Sequence, residues 1–449
     1  MNERFGANRL PLARWLDEYG MLAVLGMVVV GLSVATVRPH ETSGREAGIR
    51  LGESLSRKAS RGGLVVIAGS GQLEKQFVEG FRDACDRSGH TVPGIAGDPA
   101  DARKLLESIA ALPQSPDAIA CSKTAADWIV IRDRASLFPS LSMVPLVIPE
   151  EGSWPAFLTR DNLLNIGNQI AVISILAVGM TVVVATGGID LSVGSLVALS
   201  GVLAADFIRG HGGSEATTAA MVAGASLGIA AATISGMASG VVVTALGVPP
   251  FLATLATMLV VRGTALEWTG GESIAALPGS FVWLGRGTIG PIPVAMALMA
   301  GLYALFRFIM TRSVAGRHWL AIGGNTMVAR LAGIPVGRMV TMAYGVSGFL
   351  AGLGGIVLAS QLRNASPTYG DGYELTVIAA VVVGGASLSG GRAGMLGTLT
   401  GAFLIATIQN GMNLLGISPF VQKIVLGSVI LGAVVIDRWR QAILARINH

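Results

Sequence analysis

Charge is scarce in this sequence. Of its 449 residues only 13% are Asp, Glu, Lys or Arg, against about 25% in soluble globular domains. That deficit excludes a water-solvated surface over the whole chain. The net charge of +5 is small, and the basic residues sit at the ends of apolar runs, which speaks against a nucleic-acid-binding face. Cysteine is nearly missing: Cys85 and Cys121 are the only two, too few for a disulfide scaffold. Five histidines, scattered singly, give no His/Cys/carboxylate cluster with metal-ligand spacing, so no metal site is expected. G-x-x-x-x-G-K-[ST] occurs nowhere, so no P-loop cradles a phosphate. "GSGQLE" (69–74) follows a strand pattern but lacks the third glycine of the dinucleotide fingerprint. No Ser-His-Asp arrangement can be argued from spacing. The chain is expected not to be an enzyme and to hold no cofactor of its own.

What is present is apolar length. Hydrophobic residues make up 52% of the chain, with 61 glycines and a mean hydropathy of +0.64. So much apolar surface cannot be buried in one water-soluble core, and small residues let membrane helices approach closely. A span needs about 20 apolar residues. Ten candidates follow: 21–37, 166–186, 192–208, 217–246, 250–265, 291–311, 338–358, 374–386, 393–413 and 419–436. Arginine placement orients them. Arg4, Arg9, Arg14, Arg307, Arg312, Arg317, Arg330, Arg338, Arg392, Arg438, Arg440 and Arg446 fall on the side of the N-terminus, and Arg209, Arg262, Arg286 and Arg363 on the other. Twelve against four puts the N-terminus in the cytoplasm. The first span is alternatively a cleaved signal peptide, with "SVA" before Thr36 a weak cleavage site.

The expected fold class is an all-α polytopic membrane protein, about ten transmembrane helices in two related halves, with an inserted extracytoplasmic α/β domain. The expected domain order is a cytoplasmic N-terminus (1–20), a first transmembrane helix (21–37), a periplasmic insert (38–156), a membrane core (157–436) with a cytoplasmic region at 313–337, and a cytoplasmic tail (437–449). In the insert, strands at 63–69, 91–97, 116–121 and 144–149 alternate with helices at 73–89, 98–112 and 123–138, the pattern of a small parallel βαβ domain. Asp98 is the expected N-cap of the second helix, with Pro99 at its first position. An outer compartment permits a Cys85–Cys121 disulfide. Cys85 nevertheless falls on the apolar face of a helix and Cys121 ends a strand, positions that favour two buried thiols.

"TVVVATGGIDLSVGSLVALSG" (181–201) sets one acid between two segments built for lipid. Gly187-Gly188 breaks the first helix, and Asp190 or Ser192 can cap the next, satisfying orphan backbone N–H groups. A direct role of Asp190 in transport or coupling is the alternative. The pattern returns: "VVVATGGIDLSVGS" (182–195) is echoed by "AAVVVGGASLSGGR" (379–392), where Gly384, Gly385, Ser387 and Ser389 stand for Gly187, Gly188, Asp190 and Ser192. That is a parallel internal repeat, with Ser387 in place of the acid. "GRHWLAIGGNTMVARLAGIPVGR" (316–338) is too polar to span. It reads as two short cytoplasmic helices, broken at Gly323-Gly324 and at Gly333-Ile334-Pro335, with Asn325 capping the second and Arg330 facing water or an acidic partner. The alternative is an ordinary loop. Amides inside apolar spans are candidates for a polar pathway: Asn168, Gln169, Asn410 and Asn413. They could hydrogen-bond a polyhydroxylated cargo, or simply pair between helices.

The segments 157–205, 247–266, 316–336 and 372–402 resemble the membrane permeases of ribose- and xylose-type sugar ABC importers, with several long motifs in the same order. The resemblance covers the first span and nearly all of 157–440. It implies a ten-helix permease of the bacterial inner membrane that translocates a monosaccharide or similar polyol. It also implies a homodimer, two copies of a cytoplasmic ATPase that binds ATP and Mg, a periplasmic sugar-binding protein, and contact with the ATPase through 316–336. The insert departs from that pattern. "ACDRSG", "GDPADARKLLESIAAL", "PDAIACS" and "VPLVIP" resemble one lobe of the ribose-type periplasmic binding proteins, and a single lobe offers half a cleft. Two other function classes fit the composition. A membrane receptor would need a signalling domain beyond the last span. An ion-coupled secondary transporter would need intramembrane charges, and Asp190 and Glu374 are nearly the only acids near the spans.

Overall fold

The computed structural model describes residues 11–429 apart from 40–42, 60–62, 150–152 and 276, together with 431, 432 and 435. The expected tail at 437–449, Arg4 and Arg9 lie outside the described residues. The chain divides into two compact units, one of residues 1–36 and 157–449 and the other of residues 37–156.

The larger unit begins with α1 (Pro11–Ala35). Its apolar part, Met21–Ala35, ends where the Thr36 hydroxyl accepts the backbone N–H of Phe157 at 3.2 Å. The chain therefore leaves this unit and re-enters it at one place.

The intervening unit opens and closes on an antiparallel ribbon, β1 (Val37–Pro39) against β6 (Ser153–Pro155). Between them lie α2 (Gly44–Ser56), β2 (Leu64–Ala68), α3 (Gln72–Asp86), β3 (Gly94–Ala96), α4 (Pro99–Ala110), β4 (Ala118–Cys121) and β5 (Leu146–Val147). The sheet is parallel, in the order β3-β2-β4-β5. Strand alternation sends Leu64, Val66 and Ala68 to one face with Phe77 and Phe81 of α3. Val65 and Ile67 go to the other with Leu106 and Ile109 of α4. Both faces are covered, as a parallel sheet requires. Cys85 belongs to the first face and Cys121 to the second, and both are buried free thiols. The sheet between them rules out the disulfide.

Two readings of this unit need correction. No element is expected between 38 and 62, yet Ala47, Leu51 and Leu55 recur at helical spacing and are buried in α2 against α3. The expected helix at 123–138 is three single turns, α5 (Lys123–Ala126), α6 (Ile129–Arg132) and α7 (Arg134–Leu137). Trp128 is extended, and Asp133 leaves helical geometry. Short aspartates and β-branched residues make the segment a weak helix former, and the breaks let Val130, Ile131, Phe138 and Leu141 reach one core.

The larger unit continues with α8 (Arg160–Ala185), α9 (Val193–Gly210), α10 (Thr218–Ala245), α11 (Pro250–Thr269), α12 (Trp283–Arg286), α13 (Val294–Arg312), α14 (Val314–Gly324), α15 (Thr326–Leu331), α16 (Val336–Leu362), α17 (Tyr373–Val383) and α18 (Met395–Leu414). A last apolar helix, α19, covers Pro419–Val429. Among the described residues six helices are long and apolar enough to cross a membrane: the bodies of α8, α9, α10, α11, α13 and α16. The expected span 374–386 is instead the 11-residue α17, about 16 Å long at 1.5 Å per residue and too short to cross by itself. α18 has the length, but Gln409, Asn410 and Asn413 dilute its apolarity.

Glycine explains how these helices pack. α10 buries Gly224, Gly228, Ala232, Gly236 and Gly240, one small residue per turn. Gly348 and Gly352 of α16 meet that stripe so closely that a Cβ at Gly348 would fall on the Ala232 carbonyl oxygen. The backbones touch because no side chain holds them apart. Hydroxyls tie other pairs, with Ser200 of α9 donating to the Gly352 carbonyl at 2.8 Å and Thr181 of α8 paired with Thr398 of α18 at 2.8 Å.

Candidate functional site

Two glycine pairs end two helices in the same way. After α8, Gly187 adopts φ +82°; its N–H donates to the Val184 carbonyl and the Gly188 N–H to the Val183 carbonyl. After α17, Gly385 adopts φ +89°, and the N–H groups of Gly385 and Ala386 donate to the Val382 and Val381 carbonyls. Both are left-handed helix caps of the Schellman type. The sequence echo aligns Gly187 with Gly384, yet the left-handed residue of the second turn is Gly385, one position on. Ser387 consequently does not take the place of Asp190. It is bound to Ser389 at 2.8 Å, on an exposed turn.

Asp190 is fully buried. One carboxylate oxygen accepts the Ser192 N–H at 2.9 Å and the Ser192 hydroxyl at 2.6 Å, and the other accepts the Ser347 hydroxyl of α16 at 2.7 Å. The expectation that Asp190 or Ser192 caps the next helix is corrected here. Ser192 makes no side-chain cap, and Asp190 reaches the residue before α9, not the N–H groups inside its first turn. Its carboxylate pins the α8–α9 turn to α16.

The break expected at Gly323-Gly324 falls one residue on: both glycines belong to α14, and the extended residue Asn325 separates it from α15. The Asn325 side chain caps α15 by accepting the N–H groups of Met327 and Val328 at 3.0 and 3.1 Å. Trp319 anchors α14, its indole N–H donating to the Met339 carbonyl at 2.9 Å. Arg330 is exposed. Gly323 is wedged between the two repeat turns. A Cβ on it would fall on the Ala185 carbonyl oxygen and on the Gly391 nitrogen. Gly391 N–H donates to that same carbonyl at 3.1 Å. A Cβ on Gly390 would lie 2.8 Å from the Gly187 nitrogen and 2.8 Å from the Gly323 Cα. Three segments far apart in sequence thus meet backbone to backbone.

A second feature lies near the other ends of these helices. A pocket of about 320 Å³ is lined by Ile166, Gln169, Ile170 and Ile173 of α8, Tyr373 and Thr376 of α17, Ala406, Gln409 and Asn413 of α18, and Gln422 of α19. Of the four amides proposed from the sequence it gathers two, Gln169 and Asn413. Asn410 is spent on a reciprocal pair with Asn162, at 2.9 and 3.0 Å. Asn168 faces away: its backbone carbonyl accepts the Gln361 amide at 2.9 Å, and its side-chain oxygen is buried without a partner among the described residues. Sequence reasoning missed Gln409, Gln422, Tyr373 and Thr376. Helical spacing holds the signal for the first, since Ala406, Gln409 and Asn413 share a face, as do Ile166, Gln169, Ile170 and Ile173.

In the smaller unit, ligand sites of parallel sheets form at the carboxyl ends of strands where the order reverses, here beside β2 and β4. That place is filled from within. Glu74, buried, accepts the Gly69 N–H at 3.0 Å and the Thr124 hydroxyl at 2.8 Å. A wider cavity of about 730 Å³ lies between α2 and the edge strand β5.

Residues 162–434 match the family described as the permease component of the branched-chain amino acid transport system. The ribose import permease protein RbsC of Bacillus subtilis (strain 168) is 42% identical over 308 residues, which cover 68% of this chain and 94% of that protein. RbsC of Escherichia coli (strain K12) is 41% identical over 318 residues, 70% of this chain and 95% of its own length. The L-arabinose transport system permease protein AraH of the same strain is 36% identical over 287 residues, 64% and 85%. No solved structure matches the chain. With its matched region taking in the repeat turns, the α14–α15 element and the polar pocket, the chain belongs to this family of transport-system permease components.

Proposed function

We propose that this chain is the membrane-spanning subunit of an ATP-binding cassette importer for a monosaccharide or similar polyol, located in the bacterial inner membrane. The relatives named above are permeases for ribose and L-arabinose, and this likeness supports a sugar as cargo. Neither the receptor nor the ion-coupled transporter gains support from them. Separate ATPase subunits bind ATP and Mg, a periplasmic binding protein delivers the sugar, and a second copy of the chain completes the pathway. Ten membrane segments fit the arginine bias, with α1, α18 and α19 completing the apolar set and α17 a half-span. The unit at 37–156 is then an extracytoplasmic insert.

The single observation that carries the reading is the α14–α15 element. Gly323 keys it into both repeat turns, while Met327, Val328 and Leu331 stand exposed at 64%, 59% and 82%. Apolar side chains held out on an otherwise anchored cytoplasmic element suit a partner subunit. A push on Gly323, Gly324, Asn325 or Arg330 would reach both repeat turns at once. Reconstitution of the chain with its ATPase and binding protein in liposomes tests the proposal. Uptake of ribose or arabinose should require ATP and the ATPase. Uptake at full rate from the chain alone would overturn it.

A further inference from the structure

The polar pocket differs from a general aqueous opening in what lines it. Its hydrogen-bonding groups are the amides of Gln169, Gln409, Asn413 and Gln422, the phenol of Tyr373 and the hydroxyl of Thr376. Each amide offers both donors and an acceptor, and each hydroxyl either role. None of the described lining residues is a carboxylate, an ammonium or a guanidinium. One wall is apolar, formed by Ile166, Ile170 and Ile173. Part of the polar set is preorganised: the Gln422 amide donates to the Asn413 side-chain oxygen at 2.7 Å and to the Ile417 carbonyl at 2.9 Å. The amides of Gln169 and Gln409 make no side-chain hydrogen bond to another described residue. They are open to a ligand.

We infer that this pocket is a binding site for a neutral monosaccharide within the permease, with Gln169 and Gln409 as its free hydrogen-bonding groups. The inference rests on the importer reading above and assigns the cargo a place in it. About 320 Å³ is at the small end of ligand cavities, which run from about 300 to 1,000 Å³, and suits one small molecule. A sugar ring presents hydroxyls that both donate and accept, and a C–H face that packs on the isoleucines. A zwitterionic amino acid, the cargo that the family description names, brings a carboxylate and an ammonium. Burying either without an opposite charge is costly, and these side chains supply none. The lining residues of α17 lie in its first turn, those of α8 between its second turn and its middle, and those of α18 in its second half. In the proposed orientation all face the outer compartment, where cargo arrives. Neutral hydrogen bonds hold a sugar weakly enough to let it pass on.

Thiol labelling of the full chain in proteoliposomes tests the site without ATP or partner subunits. Thr376→Cys and Ala406→Cys each place one reporter in the lining and leave every amide in place, while Met143→Cys, 92% exposed in the smaller unit, is the control. The native thiols are buried and contribute little background. Ribose or arabinose at twice its dissociation constant should slow labelling of the pocket reporters about threefold and leave the control unchanged. Leucine should do nothing, and Gln409→Leu added to Thr376→Cys should remove the protection. Absence of protection by either pentose at both reporters, or equal protection by leucine, overturns the site. ATP-driven uptake is scored separately. A chain that takes up pentose but shows no protection loses the pocket alone, and one that is protected but shows no uptake loses the importer reading alone.

Discussion

At Gly323 the α14–α15 element and the two repeat turns are separated by the size of one hydrogen atom. Gly323→Ala forces a methyl group onto the Ala185 carbonyl, an overpacking that costs about 1–3 kcal/mol. Gly324, with nothing within 4 Å of its would-be Cβ, should tolerate alanine. ATP-dependent uptake is therefore expected to fall about tenfold in Gly323→Ala and to stay near wild type in Gly324→Ala, a contrast that a general flexibility requirement would not give. The cysteines make a second expectation. Burial pushes Cys85 up to about 11, with the neighbouring Asp86 charge adding to it, and pushes Cys121 up to about 12. Unfolded thiols ionise near 9.0. The folded smaller unit thus keeps its thiols protonated where the unfolded chain releases protons. This contribution is complete below pH 9 and is lost as pH rises through 11 to 12. Unfolding followed by circular dichroism should become easier across that window, and thiol reagents at pH 8 should leave both residues unmodified until the unit opens.

Single helices carried their own instructions where the chemistry is local. Gly187, Asp98–Pro99 and Gly323–Gly324–Asn325 each mark a terminus by a conformational or hydrogen-bonding need that a neighbour in sequence satisfies, and such marks can be read from residues alone. What could not be read is what distant segments decide. The helix expected at 123–138 broke because four apolar side chains had to reach one core. The repeat slipped by one residue at Gly385 because backbone closure, and not letter matching, sets the left-handed position. Asn410 is a pathway candidate by its neighbours in sequence, and only the fold shows that its amide donates to Asn162, 248 positions away. For α15 the local logic predicts its own test. Asn325→Ala removes the cap from a six-residue helix, which costs about 1 kcal/mol. It should raise the number of ATP molecules hydrolysed per sugar imported, and Asn325→Asp, which keeps the acceptor, should restore the ratio.

The chain divides into two units, the smaller one inserted between residues 36 and 157 of the larger. The RbsC relatives match over 94% and 95% of their own lengths, and the small remainder cannot hold a unit the size of 37–156. Replacing residues 37–156 by a short Gly-Ser linker should therefore leave a membrane unit that inserts and supports ATP-driven uptake within about threefold of the intact chain, given that surface insertions are tolerated where chain ends meet. Transport assays with and without the binding protein would separate a role in docking from a role in folding. A sugar-binding role for the unit by itself has little to stand on, since Glu74 already occupies the donors at the strand ends.

The hydrogen bond from Phe157 to Thr36 has a practical side. Because the backbone departs and returns at a single doorway, whatever is grafted there needs only neighbouring ends of its own. A fluorescent reporter, an affinity tag or a domain from another transporter should be exchangeable for the resident one, leaving the membrane-embedded machinery unaware of the swap.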